Sequence, residues 1–127
     1  MRFSKDELFS NEVVPEGTYS ARVTAARERH SQAGNPMVVV SLRVPSGHEV
    51  LDYFVTAGIP ATALAIARRR LLALCDACRV TITPDEELDL SLLIGAVIEI
   101  DVTISAGKRG RRNTVTRYRP APDEASS

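Results

Sequence analysis

At Ala57-Gly58-Ile59-Pro60 the hydrophobic period of this chain changes from two to three or four, and after Gly95 it changes back. Period two suits a half-buried strand and period 3.6 an amphipathic helix, so the pattern predicts a mainly β fold with one long helix set inside it. Before the change, Tyr19, Ala21, Val23 and Ala25 share one side of a first strand that starts at Thr18. Val38, Val40, Leu42 and Val44 share one side of a second strand over 37–44, and Leu51, Tyr53 and Val55 one side of a third over 48–56. Pro15-Glu16-Gly17, the stretch 31–36 and Pro45-Ser46-Gly47-His48 carry turn chemistry between them. Leu64, Ala67, Leu71, Leu74, Cys75 and Cys78 then recur on one stripe, which predicts a helix from Pro60 to Cys78 with the proline in its first turn. Thr83-Pro84-Asp85-Glu86 has capping-box chemistry and predicts a short acidic helix carrying Leu88 and Leu92, closed by Gly95. A fourth strand follows over 96–104 with Ile98, Ile100, Val102 and Ile104 inward. Residues 105–112, SAGKRGRR, read as a basic hairpin loop, and Asn113 to Arg119 as a fifth strand.

Three strands, one long helix and two more strands is the element order of an OB-fold, a partly open five-stranded barrel. The ligand surface of that architecture is strands 2 and 3 with the loops joining strands 1 to 2 and 4 to 5. The reading is one OB-fold-like domain over 15–119, with the helix between strands 3 and 4, an N-terminal arm over 1–14 and a loose acidic tail over 120–127. A chain of 127 residues can bury about two-thirds of its unfolded surface, so such a domain needs no staple.

Charge bears on partners only locally, because 16 basic and 16 acidic residues cancel. Every charged residue over 84–107 is acidic, and every one over 108–119 is basic: Lys108, Arg109, Arg111, Arg112, Arg117 and Arg119. The basic segment falls on the loop between strands 4 and 5, where the barrel architecture would meet a nucleic-acid backbone. The two cysteines, Cys75 and Cys78, form a C-x-x-C toward the C-terminal end of the helix. There the helix dipole opposes a thiolate, and both fall on the apolar stripe, so they read as core thiols. His30 and His48 lie at no metal-ligand spacing from them, and no phosphate-loop, dinucleotide, nucleophile-elbow or zinc-protease motif occurs, so the reading is non-enzymatic, without metal or cofactor. The charged N-terminus and the lack of a long apolar run predict a cytoplasmic protein with no membrane partner.

Single-strand binding needs cations to track phosphates and aromatic faces on which bases stack. The candidate cations are Lys108, Arg109, Arg111, Arg112 and Arg117, with Arg22 and Arg43; Arg68-Arg69-Arg70 point in different directions around the helix and read as a solvated face. The candidate platforms are Tyr53, Phe54 and Tyr118. With Leu51, Tyr53 and Val55 inward, Phe54 faces solvent beside Val50 and Asp52 and is the expected platform. A register slip of one residue exchanges Phe54 and Tyr53.

The chain resembles the phage and prophage family known as domain of unknown function 669. The resemblance is carried by Pro15-Glu16-Gly17-Thr18-Tyr19 with Ala21 and Val23, by Gly34-Asn35 and Gly47 before strands 2 and 3, by Ala67-Arg68-Arg69-Arg70-Leu71-Leu72, by Gly95, and by Asn113 and Tyr118. It spans the chain from about Pro15 to Tyr118. Some members of that family are described as single-stranded DNA-binding proteins. The resemblance therefore implies a non-sequence-specific single-stranded DNA-binding role in phage or prophage DNA replication or recombination, beside other proteins of that machinery and in a bacterial cytoplasm. It supplies no binding residues. The tail Asp123-Glu124-Ala125-Ser126-Ser127 is acidic but lacks the terminal Pro-Phe of bacterial single-strand-binding proteins, so partner docking by that route is not expected. The alternative from the residues is a protein-interaction or assembly module whose arginines meet an acidic partner; the oligomeric state stays open.

Overall fold

A β-branched run from Pro36 to Arg43 forms the strand around which one half of the molecule is built, with Val38, Val40 and Leu42 buried on one side as their spacing predicts. The computed structural model describes residues 13–83, 87–107 and 110–122. Its elements are β1 (Gly17–His30), β2 (Pro36–Arg43), β3 (Glu49–Val55), α1 (Ala61–Ala77), a 3₁₀ turn (Leu90–Leu93), β4 (Val97–Gly107) and β5 (Gly110–Pro120). The strands form one five-stranded sheet in the order β3-β2-β1-β4-β5, every neighbouring pair antiparallel.

The expected barrel is corrected in one respect: the sheet is open, with β3 and β5 as its edges. No backbone ladder joins those edges, and side chains join them instead. The Tyr118 hydroxyl on β5 donates to Asp52 Oδ2 on β3. Arg70 of α1 donates through Nη2 to the same oxygen at 2.5 Å and to the Val115 carbonyl at 3.3 Å. Its guanidinium lies 5.0 Å from the centroid of the Phe54 ring, and that ring lies 6.2 Å from the Tyr118 ring. A carboxylate out of water is tolerated only when charge and hydrogen bonds meet it, and here a cation and a phenol do.

This cluster reverses the expected faces of β3. Val50, Asp52 and Phe54 point into the core, whereas Leu51 and Tyr53 are 46% and 45% exposed. Counting apolar residues puts the aspartate outside; its partners Tyr118 and Arg70 draw it inside, and period two carries Phe54 in with it.

On β1 the pairing with β2 slips between Val23 and Ala25, so Thr24 is a bulge. Ala21 and Val23 are buried before it and Ala26 packs on the core after it, so Ala25, expected inward, lies on the opposite face. Helix α1 matches the expected span, with Pro60 and Cys78 as the flanking caps. Leu74 and Cys75 are buried, Leu71 and Cys78 pack against the core, and Arg68 and Arg69 are exposed. It ends in a Schellman arrangement, Arg79 N–H to the Asp76 carbonyl and Val80 N–H to the Cys75 carbonyl, both 2.9 Å, with Arg79 left-handed at φ 61°.

Two further expectations change. Among the described residues the expected acidic helix is represented only by the 3₁₀ turn, where Asp89 Oδ1 accepts from the Ser91 N–H and hydroxyl, a local bond that competes with longer helix. Leu93 is its buried residue and Leu92 is exposed; 84–86 lie outside the described residues. The SAGKRGRR segment is mostly strand, since Ser105 pairs with Arg112, Ala106 with Arg111 and Gly107 with Gly110. The ladder thus takes in most of the expected loop, and Lys108 and Arg109 lie outside the described residues. At the N-terminal end, buried Val14 exchanges two 2.9 Å hydrogen bonds with the Asn113 side chain.

Burial, and secondarily the Asp52 carboxylate, push the Tyr118 phenol far above the ordinary tyrosine range. The folded chain therefore keeps a proton that the unfolded chain releases near pH 10, so stability is full below that pH and falls as pH rises through it. Tyr118→Phe should cost about 1.5–3 kcal/mol at pH 7, the worth of a hydrogen bond to a charged group, and should flatten the alkaline decline. Urea melts at pH 7 and above pH 10 check this; an unchanged midpoint at both would contradict it. Burial also raises both thiols, Cys78 to about 11 with a further push from Cys75. Native Cys78 should accordingly react with a thiol reagent at pH 8 roughly 100-fold more slowly than a free cysteine, the rate climbing toward pH 11. Rapid labelling of folded protein at pH 8 would contradict the assignment as core thiols.

Candidate nucleic-acid interface

Past the Thr24 bulge the outward side chains of β1 are Ala25, Arg27 and Arg29, and the ladders continue each row across β2 and β3. Ala25 stands opposite Ser41 and Leu51, Arg27 opposite Val39 and Tyr53, and Arg29 opposite Met37 and Val55. Arg43 and Glu49 face each other in the remaining row. All of these side chains except Val55, with Thr24 and His30, line an open groove of about 720 Å³. Its middle is Tyr53 and Leu51 with half-buried Val39 and Met37 between them and β1. Its β1 margin is cationic.

The charges on this face are unevenly committed. Arg43 Nη2 lies 3.0 Å from Glu49 Oε1. Arg27 and Arg29 are exposed and take part in no ion pair among the described residues. Strands lie about 4.8 Å apart, so the Tyr53 and Arg27 backbones, two strands from each other, are separated by roughly 10 Å. An arginine side chain can span most of that. An exposed aromatic sharing a face with a row of arginines can therefore stack a planar group while cations hold an anion beside it.

Of the residues singled out from sequence, this face brings together Tyr53 and Arg43. Arg22, exposed on β1 and paired in register with Arg43, lies next to it. Phe54 and Tyr118 are corrected: at 1% and 9% exposure they are core, held by Arg70 and Asp52, and offer no face to a base. Arg111, Arg112 and Arg117 are exposed on β5, in the other half of the sheet, and do not line the groove. Arg117 stands opposite Asp101, and Arg119 ion-pairs Glu99 at 2.9 Å and Asp101 at 2.7 Å, so the acidic and basic blocks of the sequence partly neutralise each other across β4 and β5. Lys108 and Arg109 lie outside the described residues.

Sequence reasoning missed Arg27, Arg29, Met37, Val39 and Leu51 as members of one surface. The signal for the arginines was their spacing of two on a strand; that for Leu51 was hidden by the reversed face of β3. Among the described residues no group of three or more His, Cys, Asp or Glu could hold a metal, and no helix is long and apolar enough to cross a membrane.

No curated protein matches the chain significantly. A family model described as "Protein of unknown function (DUF669)" matches residues 1–127, and the chain belongs to that family.

Proposed function

We propose that this chain is a single-stranded DNA-binding module of the OB type, without base specificity, acting in phage or prophage DNA replication or recombination in a bacterial cytoplasm. The strand order with the helix between β3 and β4 supports the OB reading. The ligand surface of that architecture is centred on strands 2 and 3, which is where the groove lies. The observation that carries the reading is a single one: Tyr53, 45% exposed, shares a face with Arg27, Arg29 and Arg43.

The mechanism has two parts. Arg22, Arg27, Arg29 and Arg43 capture the phosphate backbone, releasing counterions from the strand. A base then stacks on Tyr53, with Leu51 and Met37 as apolar flanks. Arg111, Arg112 and Arg117 of β5 extend the backbone contact beyond the groove. Stacking tolerates any base because every base has a π-face, and nothing in the mechanism requires a catalytic step. The same apolar centre also suits a protein partner, the competing reading, which predicts no measurable affinity for oligo-dT.

Tyr53→Ala should lose about 1–3 kcal/mol of oligo-dT affinity with an unchanged melting temperature, as expected for an exposed stacking platform. Phe54→Ala should do the reverse, losing about 3–5 kcal/mol of stability for a truncated core aromatic, with Phe54→Leu as the milder variant if the first does not fold. Anisotropy titrations and thermal melts measure both. Undiminished oligo-dT binding by Tyr53→Ala would overturn the assignment of the groove.

A further inference from the structure

Arg43 and Glu49 close one end of the groove, and what surrounds them is more than a surface ion pair. The Glu49 carboxylate lies 3.0 Å from Arg43 Nη2, and its two oxygens lie 3.4 and 3.3 Å from Thr24 Oγ1. Thr24 is the bulge residue, so the slip in β1 is what turns its hydroxyl toward this pair. It also lies 3.3 Å from the Ser41 carbonyl, to which it can donate instead. A guanidinium and a hydroxyl therefore converge on an oxyanion supplied by the chain itself.

A phosphodiester offers the same chemistry as that carboxylate, namely two anionic oxygens for a forked donor. The ion pair is exposed, its side chains 57% and 36% accessible, and exposed pairs are held only weakly. On these grounds we propose that Arg43 and Thr24 form a phosphate subsite of the groove, and that Glu49 occupies it in the free protein and must be displaced by an incoming strand. Glu49 thus acts as an intramolecular competitor that lowers affinity for the backbone. The inference rests on the nucleic-acid reading of the groove and names a subsite and a restraint within it. It sets Arg43 apart from Arg27 and Arg29, which no carboxylate holds among the described residues.

The test is a double-mutant cycle read by anisotropy of labelled oligo-dT at several salt concentrations, on the full chain. Glu49→Gln keeps the shape and removes the charge, and it should bind about five-fold more tightly, the scale of an exposed pair. Its log–log salt dependence should steepen by about 0.7, one further phosphate contact. Arg43→Ala should weaken binding in both backgrounds, but more in Glu49→Gln, where no carboxylate competes for the guanidinium, so that the double variant loses the gain. Glu49→Ala serves as a second removal of the charge, and melting curves verify that each variant is folded. Equal binding by wild type and Glu49→Gln overturns the subsite while leaving the groove reading intact. A gain that survives Arg43→Ala also overturns it, because the effect is then one of general charge. Absence of oligo-dT binding by both wild type and Glu49→Gln overturns the groove reading and the subsite together.

Discussion

The Asp52 carboxylate, buried between the two edges of an open sheet, accepts from the Tyr118 hydroxyl of β5 and from Arg70 of α1 at the same oxygen. Its other oxygen accepts from the Tyr53 N–H at 2.8 Å. Removing either partner would leave a charge out of water with too few hydrogen bonds, which is far more costly than the intact cluster is stabilising. The cluster does what a backbone ladder does elsewhere in the sheet: it fixes β3 against β5, and through Arg70 it fixes the helix over both. Phe54, under the Arg70 guanidinium and beside the Tyr118 ring, completes the contact.

The face of β3 follows from that single carboxylate. With Asp52 inside, period two sends Val50 and Phe54 in and Leu51 and Tyr53 out, and the exposed tyrosine becomes the centre of the groove. The second determinant is the Thr24 bulge. Without the slip, the even-numbered side chains beyond it would face outward, and Arg27 and Arg29 would point toward the core that Ala26 now meets. One buried charge and one extra residue thus set both halves of the surface, the exposed tyrosine and the cations.

These two features also mark where the sequence was legible and where it was not. Helix α1 was readable to within a residue at each end, because a 17-residue amphipathic stripe bounded by Pro60 is a strong periodic signal. The inward faces of β2 and of Ile98, Ile100 and Val102 on β4 were readable for the same reason. β3 was not, since its two alternating sets, Val50-Asp52-Phe54 and Leu51-Tyr53-Val55, differ only by an aspartate whose partners are 18 and 66 residues away. Ala25 was misplaced because a bulge leaves no mark on a period-two run until the partner strand is known. The basic block near the C-terminus drew attention as a loop, yet its Arg111 and Arg112 are ladder residues and its Arg119 is committed to Glu99 and Asp101. Two of the exposed arginines that line the groove, Arg27 and Arg29, were the less conspicuous pair on β1.

The claim on which the functional account depends is that the outward face of β1, β2 and β3 meets the single strand. Amide chemical-shift mapping of the isotopically labelled protein titrated with oligo-dT tests it most directly. The account predicts shifts concentrated at Arg27, Arg29, Val39, Arg43, Leu51 and Tyr53, with α1 silent apart from its contact to β3. Saturable binding with shifts confined to α1 or to the Leu90–Leu93 turn, or no shifts at all at millimolar oligo-dT, would contradict it.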